Sequence, residues 1–112
     1  MATITQIVDV LDSNGRGILT IPFSNYVLAR VLAAGVAESI TVPAGAAVVV
    51  FSATADFYAN ARGTAAVPAA DVTDGSASEL NPTARACTPG GTISVIAPAA
   101  TVVTAAFYSK TP

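Results

Sequence analysis

The chain has 112 residues, of which 53% are hydrophobic and only 11% are charged, with a formal net charge of −2 and neither histidine nor tryptophan. Soluble domains usually carry about 25% charged residues, so we expect much of this surface to be neutral or buried against another copy. The lack of histidine removes the commonest general base and transition-metal ligand. The scattered basic residues argue against a nucleic-acid partner. This composition indicates a structural building block and not a catalyst.

The length fits one domain over residues 1–112. Its apolar residues are mainly Ala and Val, and small or β-branched side chains favour thin layers of sheet. Cys87 is the only cysteine, which excludes an intramolecular disulfide. Residues 1–4 lack the basic start of a signal peptide, and the most apolar stretch, 27–37, contains Arg30 and is too short to span a bilayer. We therefore expect synthesis in the cytoplasm and no membrane partner.

The first predicted element is a hairpin or arm over residues 1–23. The pair Asn14-Gly15 lies between two β-rich runs, 5–11 and 17–21. An Asn-Gly pair in that setting is a strong hairpin signal. Pro22 then ends the second strand or places it at the edge of a sheet.

The segment 24–34 is compatible with two structures. Ser24 and Gly35 would suit the two caps of a helix. The alternative is a strand from Tyr26 to Leu32 that is apolar because it is covered on both faces. We favour the strand because its predicted neighbours are all strands.

A second hairpin is predicted over 37–52. In its turn, Pro43 suits the first corner and Gly45 the position that requires a positive φ. Apolar and polar residues alternate over 51–58, which is the period of a strand. We therefore expect the second strand to bend and continue as far as Asn60.

The segment 61–91 is rich in Gly, Pro, Ser and Asp, and it predicts one long loop. Loops of that length usually carry a contact role. A last hairpin follows, with strands over 92–97 and 101–108 joined by a turn at 98–100. Hairpins and one long crossing loop predict an all-β fold, an antiparallel β-sandwich of jelly-roll type.

Three groups of polar residues are candidates for chemistry. The run 71–75 resembles part of a calcium loop, but Glu79 is too close for the bidentate position, so we expect an Asx-type turn ending at Gly75. Asp56 and Glu79 are the candidate carboxylate pair of a glycoside hydrolase, although a salt bridge or a solvated position is favoured. Cys87 has no imidazole partner. We predict no catalytic, cofactor-binding or metal-binding residue.

Aromatic residues near strand ends have two possible roles. They would stack on a sugar if exposed, but such side chains more often close the open ends of a sandwich, and we favour that role. The residues concerned are Tyr26, Phe57, Tyr58, Phe107 and Tyr108.

Several stretches resemble small all-β virion proteins of tailed bacteriophages, in particular the capsid decoration, or cement, proteins. The likeness covers Ile18 to Ser109, and it is carried by Glu38-Ser-Ile-Thr-Val-Pro-Ala-Gly-Ala46, Ser78-Glu-Leu-Asn-Pro-Thr-Ala-Arg85, Ile93-Ser-Val-Ile-Ala-Pro98 and Phe107-Tyr-Ser109. The resemblance implies a non-enzymatic homotrimer, or a dimer, on the capsid exterior. Such a protein binds between major capsid protein subunits after expansion of the head. The family has no catalytic motif, so no functional residue is carried over.

The leading hypothesis is therefore a structural virion protein, made in the host cytoplasm, that decorates and stabilises an icosahedral phage capsid. Its expected partners are itself and the major capsid protein. The alternative is a carbohydrate-binding or host-attachment jelly-roll module of a phage particle, which would present an exposed aromatic shelf. A small enzyme with two carboxylates is disfavoured.

Overall fold

The computed structural model describes residues 4–5, 8–11, 17–20 and 22–109, and these residues contain strands and no helix. The strands form a two-stranded sheet and two four-stranded sheets, all antiparallel. The all-β antiparallel fold that the sequence predicts is confirmed. The strands are β1 (Val8–Leu11), β2 (Gly17–Thr20), β3 (Val27–Leu32), β4 (Glu38–Thr41), β5 (Val48–Ala53), β6 (Tyr58–Asn60), β7 (Glu79–Leu80), β8 (Ala84–Ala86), β9 (Thr92–Ile96) and β10 (Thr101–Tyr108).

The two-stranded sheet consists of β1 and β2 paired with each other. Val8 lies opposite Thr20 and Leu11 opposite Gly17. The strand pairing predicted for the first hairpin is confirmed. Its proposed turn, Asn14-Gly15, lies outside the described residues.

The two four-stranded sheets share the remaining strands. Sheet I has the order β3-β10-β5-β8, and sheet II has the order β4-β9-β6-β7. Between β3 and β10, every connection except the one from β6 to β7 carries the chain from one sheet to the other. From β3 to β10, strands that follow each other in sequence therefore do not pair, except β6 with β7.

This crossing corrects the second and third predicted hairpins, over 37–52 and 92–108. The strands exist, but β4 pairs with β9, and β10 pairs with β3 and β5. A strand–turn–strand sequence looks the same in both cases, because a hairpin and a crossing both need turn residues between apolar strands. In each of these two connections the central turn residues are exposed and one flanking residue is buried, Ala46 before β5 and Ala97 after β9, each 0% exposed.

The turn before β5 agrees only in part with its prediction. Gly45 has a φ of 87°, as expected. The Ala46 N–H donates to the Pro43 carbonyl over 3.2 Å, so Pro43 is the first residue of the turn and not its first corner. Only a glycine adopts the φ of residue 45 without strain, which is why that half of the prediction was secure.

Strand β3 confirms the strand over the helix for segment 24–34, but the expectation that this strand is covered on both faces was wrong. Exposed and less exposed residues alternate along β3, and Val27 and Val31 remain 53% and 74% exposed. One face of this apolar strand is therefore left uncovered by the residues that the structure describes. The predicted extension of β5 to Asn60 is also wrong, because β5 ends at Ala53 and β6 lies in the other sheet.

The segment 61–91 is more ordered than the predicted loop. It contains β7 and β8, which pair with β6 and β5 respectively. Strands of two and three residues are too short to show a period in the sequence. Between them, Asn81 adopts a φ of 48°, and its backbone N–H and side-chain oxygen bond to the backbone of Phe57 at 2.8 and 3.0 Å. Asn81 therefore links the connection between β7 and β8 to the residue that precedes β6.

The hydrophobic core draws its members from both sheets, an arrangement consistent with a β-sandwich. Its largest fully buried side chains are Leu32, Ile40, Val42, Val49, Phe57, Val95, Val103 and Phe107. Ile4 also belongs to this cluster, and the Ser109 N–H donates to the Thr5 carbonyl at 2.9 Å. Successive side chains of a strand point to opposite faces of its sheet. The strand residues that alternate with core residues therefore lie on the outer faces of the two sheets.

Candidate interaction surface

The 71–75 run forms the predicted Asx-type turn. The backbone N–H and the hydroxyl of Ser76 donate to Asp74 Oδ1 at 3.1 and 2.6 Å, and Gly75 follows Asp74 with a φ of 89°. These hydrogen bonds, the hydroxyl one first, lower the pKa of Asp74 below its ordinary value. Across the described residues, no three Cys, Asp or Glu side chains are grouped so that they could hold a metal ion.

Asp56 and Glu79 are each engaged with a different partner. Glu79 forms an ion pair with Arg85 at 2.7 Å. Asp56 accepts a hydrogen bond from the side-chain amide of Asn81 at 2.9 Å. Both carboxylates are exposed, and each makes a contact within the chain with a different residue.

The Cys87 thiol is half-buried and packs against the core. Burial raises the pKa of this thiol, because a thiolate is poorly solvated there. A thiol with a raised pKa is protonated at neutral pH and is a weak nucleophile.

Most of the aromatic residues considered for sugar stacking lie inside the molecule. Phe57, Phe107 and Tyr108 are 2%, 0% and 5% exposed. The ring of Tyr26 meets that of Phe107 edge-on at 6.0 Å. Tyr26 and Tyr58 are half-exposed, and Tyr58 lies on sheet II. This placement agrees with the favoured role, closure of the sandwich.

A groove of about 710 Å³ lies between the 61–78 loop and the β6–β7 side of sheet II. Its lining contains no aromatic ring, and its polar side chains are those of Asn60, Arg62, Thr64, Asp74, Ser76, Ser78 and Glu79. Several of these already bond to one another: the Asn60 amide donates to the Ser76 carbonyl at 3.3 Å and to Ser78 Oγ at 3.4 Å. The polar groups therefore shape the loop.

The outer face of sheet II carries Ser, Thr and Asn residues together with Tyr58, Leu80 and Ile96, and that loop covers part of it. Ser94 lies opposite Ser39 and Asn60 in the sheet register, on the side away from the core. Ser94 Oγ accepts a hydrogen bond from the backbone N–H of Ala65 at 2.8 Å. Ser94 and Ala65 are both buried, at 7% and 2% exposure. The loop thus seals part of this face by hydrogen bonding.

The outer face of sheet I differs because it has no charged residue, and the described part of the chain covers only the end of it that holds Tyr108. We call it the uncharged face. The sheet register and the core membership define it as Val27, Ala29, Val31, Val48, Val50, Ser52, Ala84, Ala86, Val102, Thr104, Ala106 and Tyr108. Tyr108, at the end of this face, is buried, and its hydroxyl donates to the Pro22 carbonyl at 2.6 Å.

The arginines of sheet I do not lie on the uncharged face. Arg30 and Arg85 alternate with its residues and reach across to sheet II, where they meet Glu38 at 3.7 Å and Glu79 at 2.7 Å. Arg30 also donates to the Ser39 carbonyl at 2.8 Å. Two ion pairs therefore connect the sheets and leave the outer face of sheet I neutral.

Sequence reasoning missed the uncharged face. Strand β3 is apolar at almost every position, so the pattern did not show which side would be covered. The only usable signal was size, since Val27, Ala29 and Val31 alternate with the longer Leu28, Arg30 and Leu32.

Comparison with known proteins finds no matching family model, no matching curated protein and no matching solved structure. In the part of the chain that the structure describes, no helix is long and apolar enough to cross a membrane. Functional inference therefore depends on the fold and on the surfaces described above.

Proposed function

We propose that this chain is a structural virion protein that decorates and stabilises an icosahedral phage capsid. In this proposal it binds between major capsid protein subunits, on the capsid exterior, as a homo-oligomer. The observation that carries the proposal is the order in which the strands of the two large sheets pair.

That order supports a jelly roll. Counted from β3, the first strand pairs with the eighth (β10), the second with the seventh, the third with the sixth and the fourth with the fifth. This is the pairing of one long antiparallel hairpin that has been rolled into two facing sheets. Double-sheet jelly rolls recur in viral capsid proteins, although the fold alone does not define a function.

The uncharged face supports an assembly role. Its exposed valines offer apolar area without the cost of burying a charge, which is the property that distinguishes the centre of a protein interface. A decoration protein needs such a surface because it acts by mass action: a binder specific for the assembled shell raises the stability of that shell. A stable contact would bury about 1,200 Å² or more in total.

The experiment is a binding and stability test on heads of the tailed phage that encodes the chain. Purified protein is added to expanded heads that lack it, and heads are separated from free protein by sedimentation. We expect saturable binding at a fixed ratio to the major capsid protein. Decorated heads should also release their DNA at a higher temperature than bare heads.

Unexpanded proheads are the matched control, because the proposed site forms between subunits after expansion. Equal binding to both particles, or no binding to either, would contradict the proposal. Absence of the protein from purified virions would contradict it as well.

A further inference from the structure

Strand β3 is the most open edge of the two large sheets. The edge strands are β3 and β8 in sheet I, and β4 and β7 in sheet II. Strand β3 has six residues, whereas β8, β4 and β7 have three, four and two. Natural sheets usually shorten their edges or protect them with Lys or Pro, because a long free edge pairs with other chains. Strand β3 contains neither residue.

The pairing of β3 with β10 shows which of its backbone groups face the open edge. The Phe107 N–H donates to the Tyr26 carbonyl at 3.0 Å, so the groups of residue 26 point towards β10. Antiparallel ladders alternate, and the N–H and C=O of every second residue point to the other side. The backbone groups of Val27, Ala29 and Val31 therefore point away from β10, where the described chain places no other strand.

We propose that two copies of this chain associate by antiparallel pairing of their β3 strands, which joins the two uncharged faces into one continuous surface. In the proposed register, Val27 lies opposite Val31 of the second copy and Ala29 lies opposite Ala29. The inference deepens the proposed function, on which it rests, and it selects the dimer among the expected homo-oligomers.

Two observations select this register. The outward backbone groups belong to residues 27, 29 and 31, and only pairings among these residues satisfy them reciprocally. A shift of two residues in one direction would place Arg30 opposite Arg30, where like charges repel. A shift in the other direction leaves Val31 opposite Asn25, beyond the end of β3.

The charge distribution also favours a second copy as the partner. A two-fold interface requires a surface that is complementary to itself. The β3 edge meets this condition, because the outward backbone groups of residues 27, 29 and 31 can pair reciprocally with those of a second copy. The charge of Arg30 is already directed to Glu38 and the Ser39 carbonyl, within the same chain.

The test measures the mass of the full chain in solution by sedimentation equilibrium, from micromolar to millimolar concentration. We expect the mass to rise from 11.1 kDa towards twice that value. Val31→Lys places a charge at the edge, and Ala29→Pro removes an outward N–H without touching the bonds to β10. Each variant should raise the dissociation constant at least about tenfold. Val72→Lys is the matched control, because Val72 is an exposed valine, at 44%, on the 61–78 loop.

Amide exchange gives a second readout that does not depend on any variant. On dimerisation, the N–H groups of Val27, Ala29 and Val31 should become protected from exchange. Those of Leu28 and Arg30 should be protected at every concentration, because they face β10.

A wild-type protein that stays monomeric at millimolar concentration would overturn the inference. So would a trimer, or an oligomer that both β3 variants leave intact. A monomeric protein that still binds heads would refute the β3 pairing and leave the decoration role standing. A β3 dimer that never binds heads would refute the proposed function alone.

Discussion

The two large sheets share a core but differ on their outer faces. Sheet II presents Ser and Asn residues that are bonded to the loop between β6 and β7, as Ser94 is to Ala65. Sheet I presents valines and alanines, of which Val27 and Val31 are exposed. The Thr104 hydroxyl on this face donates to the Ser52 carbonyl of the same sheet at 3.2 Å. The loop therefore covers part of the face of sheet II, whereas the β3 side of sheet I keeps exposed apolar residues.

The comparison teaches that low charge has two different meanings in this molecule. On sheet II, neutral polar residues replace charges because they bind the loop backbone. On sheet I, the outer face is neutral and apolar, and the β3 pairing that we propose would extend it into one larger uncharged surface. The ion pairs between the sheets, Arg30 with Glu38 and Arg85 with Glu79, contribute about 0–1 kcal/mol each, so they do not decide stability.

The sharpest test separates the inner and outer sides of sheet I. Phe107→Ala empties a fully buried site on the inner side and should lower the free energy of unfolding by about 3–5 kcal/mol. Val31→Ala, on the uncharged face, should lower it by less than about 1 kcal/mol. Urea unfolding at low protein concentration measures both. Similar losses for the two variants would mean that the uncharged face is part of the folded core.

A smaller loss of stability tests the hydrogen bond that holds the 61–78 loop on sheet II. Ser94→Ala removes the acceptor of the buried Ala65 N–H, and an unpaired buried donor costs about 1–3 kcal/mol. Ser39→Ala is the control, because Ser39 lies opposite Ser94 in the register and its side chain is exposed. The expected result is a stability loss and faster exchange of the Ala65 amide in the first variant only. An unchanged Ala65 amide would show that other contacts hold the loop.

The smallest expected effect is a pH dependence of stability that arises from Asp74 in the 61–78 loop. The pKa of Asp74 in the folded chain is lowered from 3.8 by its bonds to Ser76. Its stabilising contribution is therefore complete above pH 3.8 and is lost as the pH falls through the lower folded pKa. NMR titration of the Asp74 carboxyl should give a midpoint below 3.8, and Asp74→Asn should remove this part of the acid sensitivity. A midpoint at or above that value would contradict the Asx-turn bonding.

Strand positions could be predicted from the sequence because strands depend on local patterns. The strand at 27–32, the glycine turn at residue 45 and the Asx turn at Asp74 each follow from a few neighbouring residues. Pairing depends on distant residues, so the hairpins predicted over 37–52 and 92–108 were wrong. The roles of Ser94 and Asn81 were missed for the same reason, since their partners lie 29 and 24 residues away.

By itself, the sequence determined an antiparallel all-β chain with very few charges, because side-chain type and period act over short distances. Only the tertiary structure decided which neutral residues would be covered. The chain crosses between sheets at almost every turn, so the outer face of a strand is set by the strand and loop that reach it from elsewhere. That is why β3 reads as a buried strand in sequence and stands in the fold as an open edge.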